Sequence, residues 1–171
     1  MEFETKILSK GIQELLYKSD KTLATAESCT GGRIAEAIIA LPGASDYFKG
    51  GIVSYTNEVK ERLLHVSHEV LEEQTAVCEE VARQMLLGVI DLLNVDYAVS
   101  VTGTAGPTGG TPQIPVGTIW LAYGSKDDVR TLKLEEDHGR DINLAIATNN
   151  ALKKLLEFLQ DHAEELKKDK E

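Results

Sequence analysis

Apolar residues at Ile7, Leu8, Ile12, Leu15 and Leu16 recur at helical spacing and predict an amphipathic helix of about three turns that ends near Ser19-Asp20. The run Thr22-Leu23-Ala24-Thr25-Ala26 is short and rich in β-branched and small residues, which predicts a buried strand. It enters a tight turn at Glu27-Ser28-Cys29-Thr30-Gly31-Gly32, and Ile34, Ala35, Ile38 and Ile39 then mark a helix that stops at Leu41-Pro42-Gly43. Gly50 to Tyr55 predicts a second strand, after which Thr56 or Asn57 caps a short helix through Lys60 and Leu64. A helix over Glu79–Leu93 follows from Val81, Met85, Val89 and Leu92, and Asp96 to Thr102 is a nearly continuous apolar strand. That strand empties into the Gly- and Pro-dense stretch Gly103 to Pro112. Two further strands, Gly117 to Tyr123 and Val129 to Leu134, are close enough to pair as an antiparallel hairpin. A last long helix runs from about Arg140 to Leu159.

Strands alternating with helices predict a three-layer α/β/α sandwich around a mixed, mostly parallel sheet of about five strands. Residues 1–160 form one domain and 161–171 a charged tail, with no internal repeat or linker. Ligands of such sheets bind where loops leave the C-terminal ends of parallel strands. Three loops fit: Glu27 to Gly32, Tyr55 to Lys60 and Thr102 to Thr111.

At 171 residues and 42% hydrophobic, the chain is long enough for one self-sufficient core, which excludes disorder and collagen-like or disulfide-stapled scaffolds. The 28 acids against 18 Lys and Arg give a net charge of −10, and no basic block breaks it, so neither nucleic acid nor an anionic membrane is an expected partner. An anionic ligand must be small and held locally. Two cysteines, Cys29 and Cys78, build no disulfide framework, and the N-terminus has no cationic region followed by an apolar run. No apolar stretch of about 20 residues is present, so the expected setting is the cytoplasm.

Ser28 sits between a strand and a helix, where a nucleophile is exposed beside helix N-terminal N–H groups, although the leading glycine of G-x-S-x-G is missing. The plain alternative is that Ser28 or Thr30 caps the helix. Cys29 is a rival nucleophile, or merely a packed thiol. No Ser/His/Asp order is compelling; His65 and His68 lie three apart, as on one helix face, but lack a third metal ligand. Lys60 is the other candidate base, since a desolvated lysine loses its proton near neutral pH; otherwise it is a solvated helix lysine. Gly103-x-x-Gly106-x-x-Gly109-Gly110 lets backbone approach an anion or oxyanion, but it matches neither a dinucleotide fingerprint nor a P-loop.

Taken together, the segments Thr25 to Gly32, Pro42 to Ser45, Phe48 to Lys60, Thr102 to Thr111 and Pro115 to Thr118 resemble the CinA C-terminal domain family in the right order over nearly the whole chain. The resemblance is to its stand-alone form. It implies deamidation of nicotinamide mononucleotide (NMN), within pyridine nucleotide salvage, by a Ser/Lys dyad that falls on Ser28 and Lys60, with a pocket tyrosine at Tyr55. It further implies a substrate-binding set of Glu27, Cys29, Thr30, Gly31, Gly32, Asn57, Thr102, Gly103, Thr104, Gly106 and Arg140. No metal or cofactor is required, the substrate is a small mononucleotide, and a homo-oligomer, a dimer for preference, is expected.

The chain departs from the family pattern in four places. Ile114 stands where a lysine usually precedes Pro-Val-Gly, and Leu144 where an arginine usually follows four residues after Arg140. Thr75-Ala76-Val77-Cys78 replaces Gly-Ala-Val-Ser, and Thr104 replaces an apolar residue. Where the missing cations hold phosphate, each lost charged hydrogen bond lowers affinity for NMN by roughly tenfold or more. The same dyad then serves another small amide, or the domain is a ligand-binding module without catalysis.

Overall fold

The computed structural model describes residues 3–168. Its helices are α1 (Phe3–Leu16), α2 (Arg33–Ile39), α3 (Asn57–Leu64), α4 (His68–Gln74), α5 (Glu79–Leu93), α6 (Arg140–Asp161) and α7 (Ala163–Lys168). The strands are β1 (Leu23–Glu27), β2 (Phe48–Val53), β3 (Tyr97–Gly103), β4 (Ile119–Ser125) and β5 (Val129–Leu134), and they form one sheet in the order β2-β1-β3-β4-β5. β2, β1 and β3 are parallel; β4 is antiparallel to β3 and to β5. Four strands therefore share one direction, the mixed and mostly parallel sheet expected.

Side-chain size alternates along the strands and sets how each helix layer approaches. Leu23, Tyr97, Val99, Val101, Ile119 and Leu121 face the layer of α1, α2 and α6, where Ile12, Leu16, Ile34, Leu152 and Phe158 fill a thick core. Ala24, Ala26, Ala98 and Ala122 face α5, which therefore lies close to the sheet. Ser100 sits on that face as well and donates its hydroxyl to the Ala82 carbonyl at 2.6 Å. Gly88 takes the close approach one layer further: a methyl group there would overlap the Leu64 carbonyl, so α5 presses directly on the end of α3.

Several boundaries differ from those predicted. β2 starts two residues earlier and releases Tyr55, because Thr56 leaves the ladder to cap α3, its hydroxyl accepting the Val59 N–H at 3.4 Å. β4 starts later than Gly117, which has φ +94° and belongs to a turn closed by Thr118 Oγ1 donating to the Pro115 carbonyl. His65 and His68 share no helix face: His65 ends α3 at φ 55°, and His68 opens α4, a separate helix capped by Ser67. The segment read as a charged tail begins at the end of α6 and carries α7, whose Leu166 is 2% exposed. Among the described residues no helix is long and apolar enough to cross a membrane.

Candidate active site

Ser28 directly follows β1, and its N–H donates to the Val101 carbonyl at 2.9 Å, so the parallel ladder holds the residue before the chain turns away. The turn closes through Gly31 N–H to the Ser28 carbonyl at 3.1 Å. Gly31 (φ +58°) and Gly32 (φ +105°) bear it, in the left-handed region that side chains disfavour. No atom lies within 4 Å of where a Cβ on Gly31 would stand, so conformation, not space, demands that glycine.

Neither Ser28 nor Thr30 caps α2. The N-cap is Gly32, with no side-chain cap bond. The Glu27 carboxylate does the work instead, accepting the Ile34 N–H at 2.9 Å, the Ala35 N–H at 3.0 Å and the Thr30 hydroxyl at 2.7 Å. A carboxylate at a helix N-terminus is favoured by the unpaired N–H groups and the helix dipole. Glu27 is 1% exposed, and its partners are one residue of the turn that carries Ser28 and two of the first turn of α2.

Lys60 lies one turn into α3, and its side chain reaches the residues that directly follow β1 and β2. Its Nζ donates to Ser28 Oγ at 2.9 Å and to the Ser54 carbonyl at 2.8 Å. Lys60 is 1% exposed, and burial, which disfavours the charged form, lowers its pKa to about 8. Burial acts oppositely on Cys29, whose thiol is raised to about 11 and is therefore protonated at neutral pH. The two candidate nucleophiles thus differ: Ser28 has an amine of lowered pKa at hydrogen-bond distance, and Cys29 holds its proton.

The opposite wall is the glycine-rich loop after β3. Thr104 exchanges hydrogen bonds with the returning chain, its N–H to the Thr118 carbonyl at 2.9 Å and its carbonyl from the Gly117 N–H at 2.8 Å. The start of α6 clamps the next two carbonyls: Asn143 Nδ2 donates to Ala105 at 3.1 Å and Arg140 Nη1 to Gly106 at 2.8 Å. Between the walls is an open cleft of about 330 Å³ lined by Ser28, Lys60, Cys29, Tyr55, Asn57 and Arg140 on one part of its rim. Gly103, Thr104, Ala105, Gly106, Thr108 and Ala76 complete it. Tyr55 is 62% exposed and stands at the mouth.

Nine of the residues expected at the site line this cleft. Five do not: Glu27, Thr30, Gly31 and Gly32 build the turn behind it, and Thr102 donates its hydroxyl to the Ala76 carbonyl at 2.8 Å, tying the α4–α5 connection to β3. Asn143, Ala76 and Thr108 escaped the sequence reading, since a polar residue inside an amphipathic helix or a small residue in a loop carries no periodic signal. Leu144 is 2% exposed in the core and Ile114 is half-buried outside the cleft, which leaves Lys60 and Arg140 as its lining cations. Among the described residues no group of three or more potential metal ligands is assembled.

The family profile of the CinA C-terminal domain matches residues 5–159. A CinA-like protein of Cytophaga hutchinsonii is 41% identical over 157 residues, covering 90% of this chain and 38% of the relative, so the chain spans well under half that protein's length. The crystal structure of the competence/damage inducible protein CihA from Agrobacterium tumefaciens superposes with a TM-score of 0.89 at 33% identity, over 92% of this chain and 97% of the other. A CinA superfamily protein from Escherichia coli gives a TM-score of 0.85 at 34% identity, covering 89% of this chain and 88% of its own.

Proposed function

The chain belongs to the CinA C-terminal domain family, and from that premise we propose that it is a serine amidohydrolase that deamidates NMN to nicotinate mononucleotide and ammonia. The observation that carries the reading is the buried 2.9 Å hydrogen bond between Lys60 Nζ and Ser28 Oγ, with the lysine pKa lowered to about 8. A lysine near that value is neutral in roughly a tenth of molecules at pH 7, a fraction sufficient for a general base.

In the neutral state, the Lys60 lone pair takes the Ser28 hydroxyl proton as Oγ bonds to the carboxamide carbon and the carbonyl π electrons move onto oxygen. The Ser54 carbonyl, which accepts a Lys60 N–H, keeps the amine aimed at Ser28. The Cys29 N–H, which makes none of the backbone–backbone hydrogen bonds of the turn, is the donor we assign to the resulting oxyanion. When the tetrahedral carbon collapses, its C–N bond breaks and Lys60 returns the proton to the leaving nitrogen, giving ammonia and an ester on Ser28. Water then attacks that ester, Lys60 takes the water proton, and the proton passes to Ser28 as the acid departs.

Arg140 and the loop N–H groups hold the phosphate end. With Ile114 and Leu144 offering no charge there, selectivity for a phosphorylated amide over an unphosphorylated one is modest. The test is ammonia release from NMN by the purified chain, in parallel with the phosphate-free riboside. Release from NMN supports the reading. Binding of NMN without release contradicts it and leaves a ligand-binding module.

A further inference from the structure

Ser54 is fully buried, and its Oγ has no hydrogen-bond partner, an arrangement that costs free energy in the resting fold and calls for an explanation. Its backbone is fully committed: the N–H donates to the Glu27 carbonyl at 2.8 Å, and the carbonyl accepts from Lys60 Nζ at 2.8 Å. The register Ala26↔Ile52 and Glu27↔Val53 continues to place Ser54 beside Ser28. Carried one residue past the end of each strand, the alternation gives Ser28 the side of Ala26 and Ser54 the side of Ile52, the two that pack with α5 and Leu64 of α3.

Donor counting supplies the use. A neutral lysine amine has two N–H groups and one lone pair, whereas the protonated amine has three donors and no acceptor. Nζ is within hydrogen-bond distance of two acceptors, the Ser54 carbonyl and Ser28 Oγ. Once the Ser28 proton has moved to Nζ, the third N–H needs an acceptor, on a side chain that is 1% exposed. A serine side chain reorients by rotation about one bond between staggered positions.

Resting on the Ser/Lys reading above, we infer that Ser54 is a positioning residue whose hydroxyl accepts the third N–H of protonated Lys60 and so sets how readily this lysine holds a proton. Ser54 acts through Lys60 and does not touch the reacting carbon. The other titratable groups around the amine are Cys29 in the turn, Tyr55 at the cleft mouth and Arg140 at the start of α6. Glu27 is turned to α2 and spends its carboxylate there.

The experiment is an NMR titration of 15N-labelled lysine in the full chain, for wild type, Ser54→Ala, Ser54→Cys and Ser54→Thr, alongside kcat/KM against pH for NMN. Loss of the acceptor lowers the Lys60 pKa by roughly one unit in Ser54→Ala. The low-pH limb of the rate profile moves with it, and kcat falls about tenfold. Ser54→Cys moves the same way, and Ser54→Thr returns both readouts to wild type. Unchanged titration of Lys60 in Ser54→Ala and Ser54→Cys overturns the inference. The titration needs no substrate: a shifted Lys60 in a chain that releases no ammonia from NMN sustains the role of Ser54 and removes the amidase reading alone.

Discussion

Lys60 Nζ and Ser28 Oγ lie 2.9 Å apart, although 32 residues separate them in sequence, and each is held by an element that has little freedom to move. Ser28 is fixed by the β3 ladder on one side and the Glu27-capped turn on the other. Lys60 is fixed by α3, which Thr56 caps at one end and α5 presses at the other.

The lysine has a stability cost that depends on pH. Its pKa falls from 10.5 in the unfolded chain to about 8 in the fold, so below pH 8 both states are protonated and the native state bears the full penalty, roughly 3 kcal/mol. Between pH 8 and 10.5 the unfolded chain binds the extra proton, and the penalty disappears as pH rises. Cys29, raised to about 11, acts in the opposite sense, its contribution being lost as pH rises toward 11. The difference between wild type and Lys60→Met isolates the lysine. Urea denaturation is expected to find Lys60→Met more stable at pH 7, with the gap closing by pH 10.5; a gap independent of pH contradicts the lowered pKa.

The same value predicts that kcat/KM rises with pH through about 8, because Lys60 acts neutral. A rate that falls over that interval is inconsistent with a lysine base. Cys29, holding its proton, is expected to react slowly with iodoacetamide at pH 7.5, and alkylation at the rate of a thiolate near neutral pKa contradicts its assignment as a bystander.

Removing the Glu27 carboxylate leaves two buried donors, the Thr30 hydroxyl and the Ile34 N–H, and the half-buried Ala35 N–H without their acceptor. Glu27→Ala is expected to destabilise the fold by roughly 3 kcal/mol, and Glu27→Gln, which keeps one oxygen, by about half as much. Thermal unfolding checks the order. Equal stability of Glu27→Ala and wild type shows that the cap is not used.

Gly88 lies outside the cleft lining, yet its close approach to Leu64 sets where α3 and Lys60 lie. A methyl group at this position meets the Leu64 backbone, which cannot swing aside, so α3 must shift and carry Lys60 with it. Gly88→Ala is expected to cost about 1–3 kcal/mol of stability and to lower kcat by as much as roughly 10²-fold. A variant that folds stably and turns over at the wild-type rate shows that α3 tolerates displacement.

Much of this arrangement was legible from periodicity and punctuation. The helix over Glu79–Leu93 and the strand Val129–Leu134 occur with the boundaries read from the sequence: the helix has a sustained apolar period, and the strand lies between the polar turn Ser125-Lys126-Asp127-Asp128 and the acidic run Glu135-Glu136-Asp137. The helix through Lys60 and Leu64 ends at Leu64 as read, but the existence of α4 was missed, since His65-Val66-Ser67 contains neither glycine nor proline to mark a break between two helices. At the site, the strand–turn position of Ser28 was readable, but the role of Glu27 was not: a carboxylate that caps from beneath the turn looks in sequence like one that faces the ligand. The buried state of Lys60 was equally hidden, because it comes from the packing of α5 and the sheet around α3 and not from its own neighbours in the chain.

The claim that Ser28 is the nucleophile and Lys60 its base is tested most directly by ammonia release from NMN in wild type, Ser28→Ala and Lys60→Met. Wild-type chain is expected to release ammonia, and each variant to fall by roughly 10³-fold or more while still binding NMN. Release from Ser28→Ala at the wild-type rate would contradict the account.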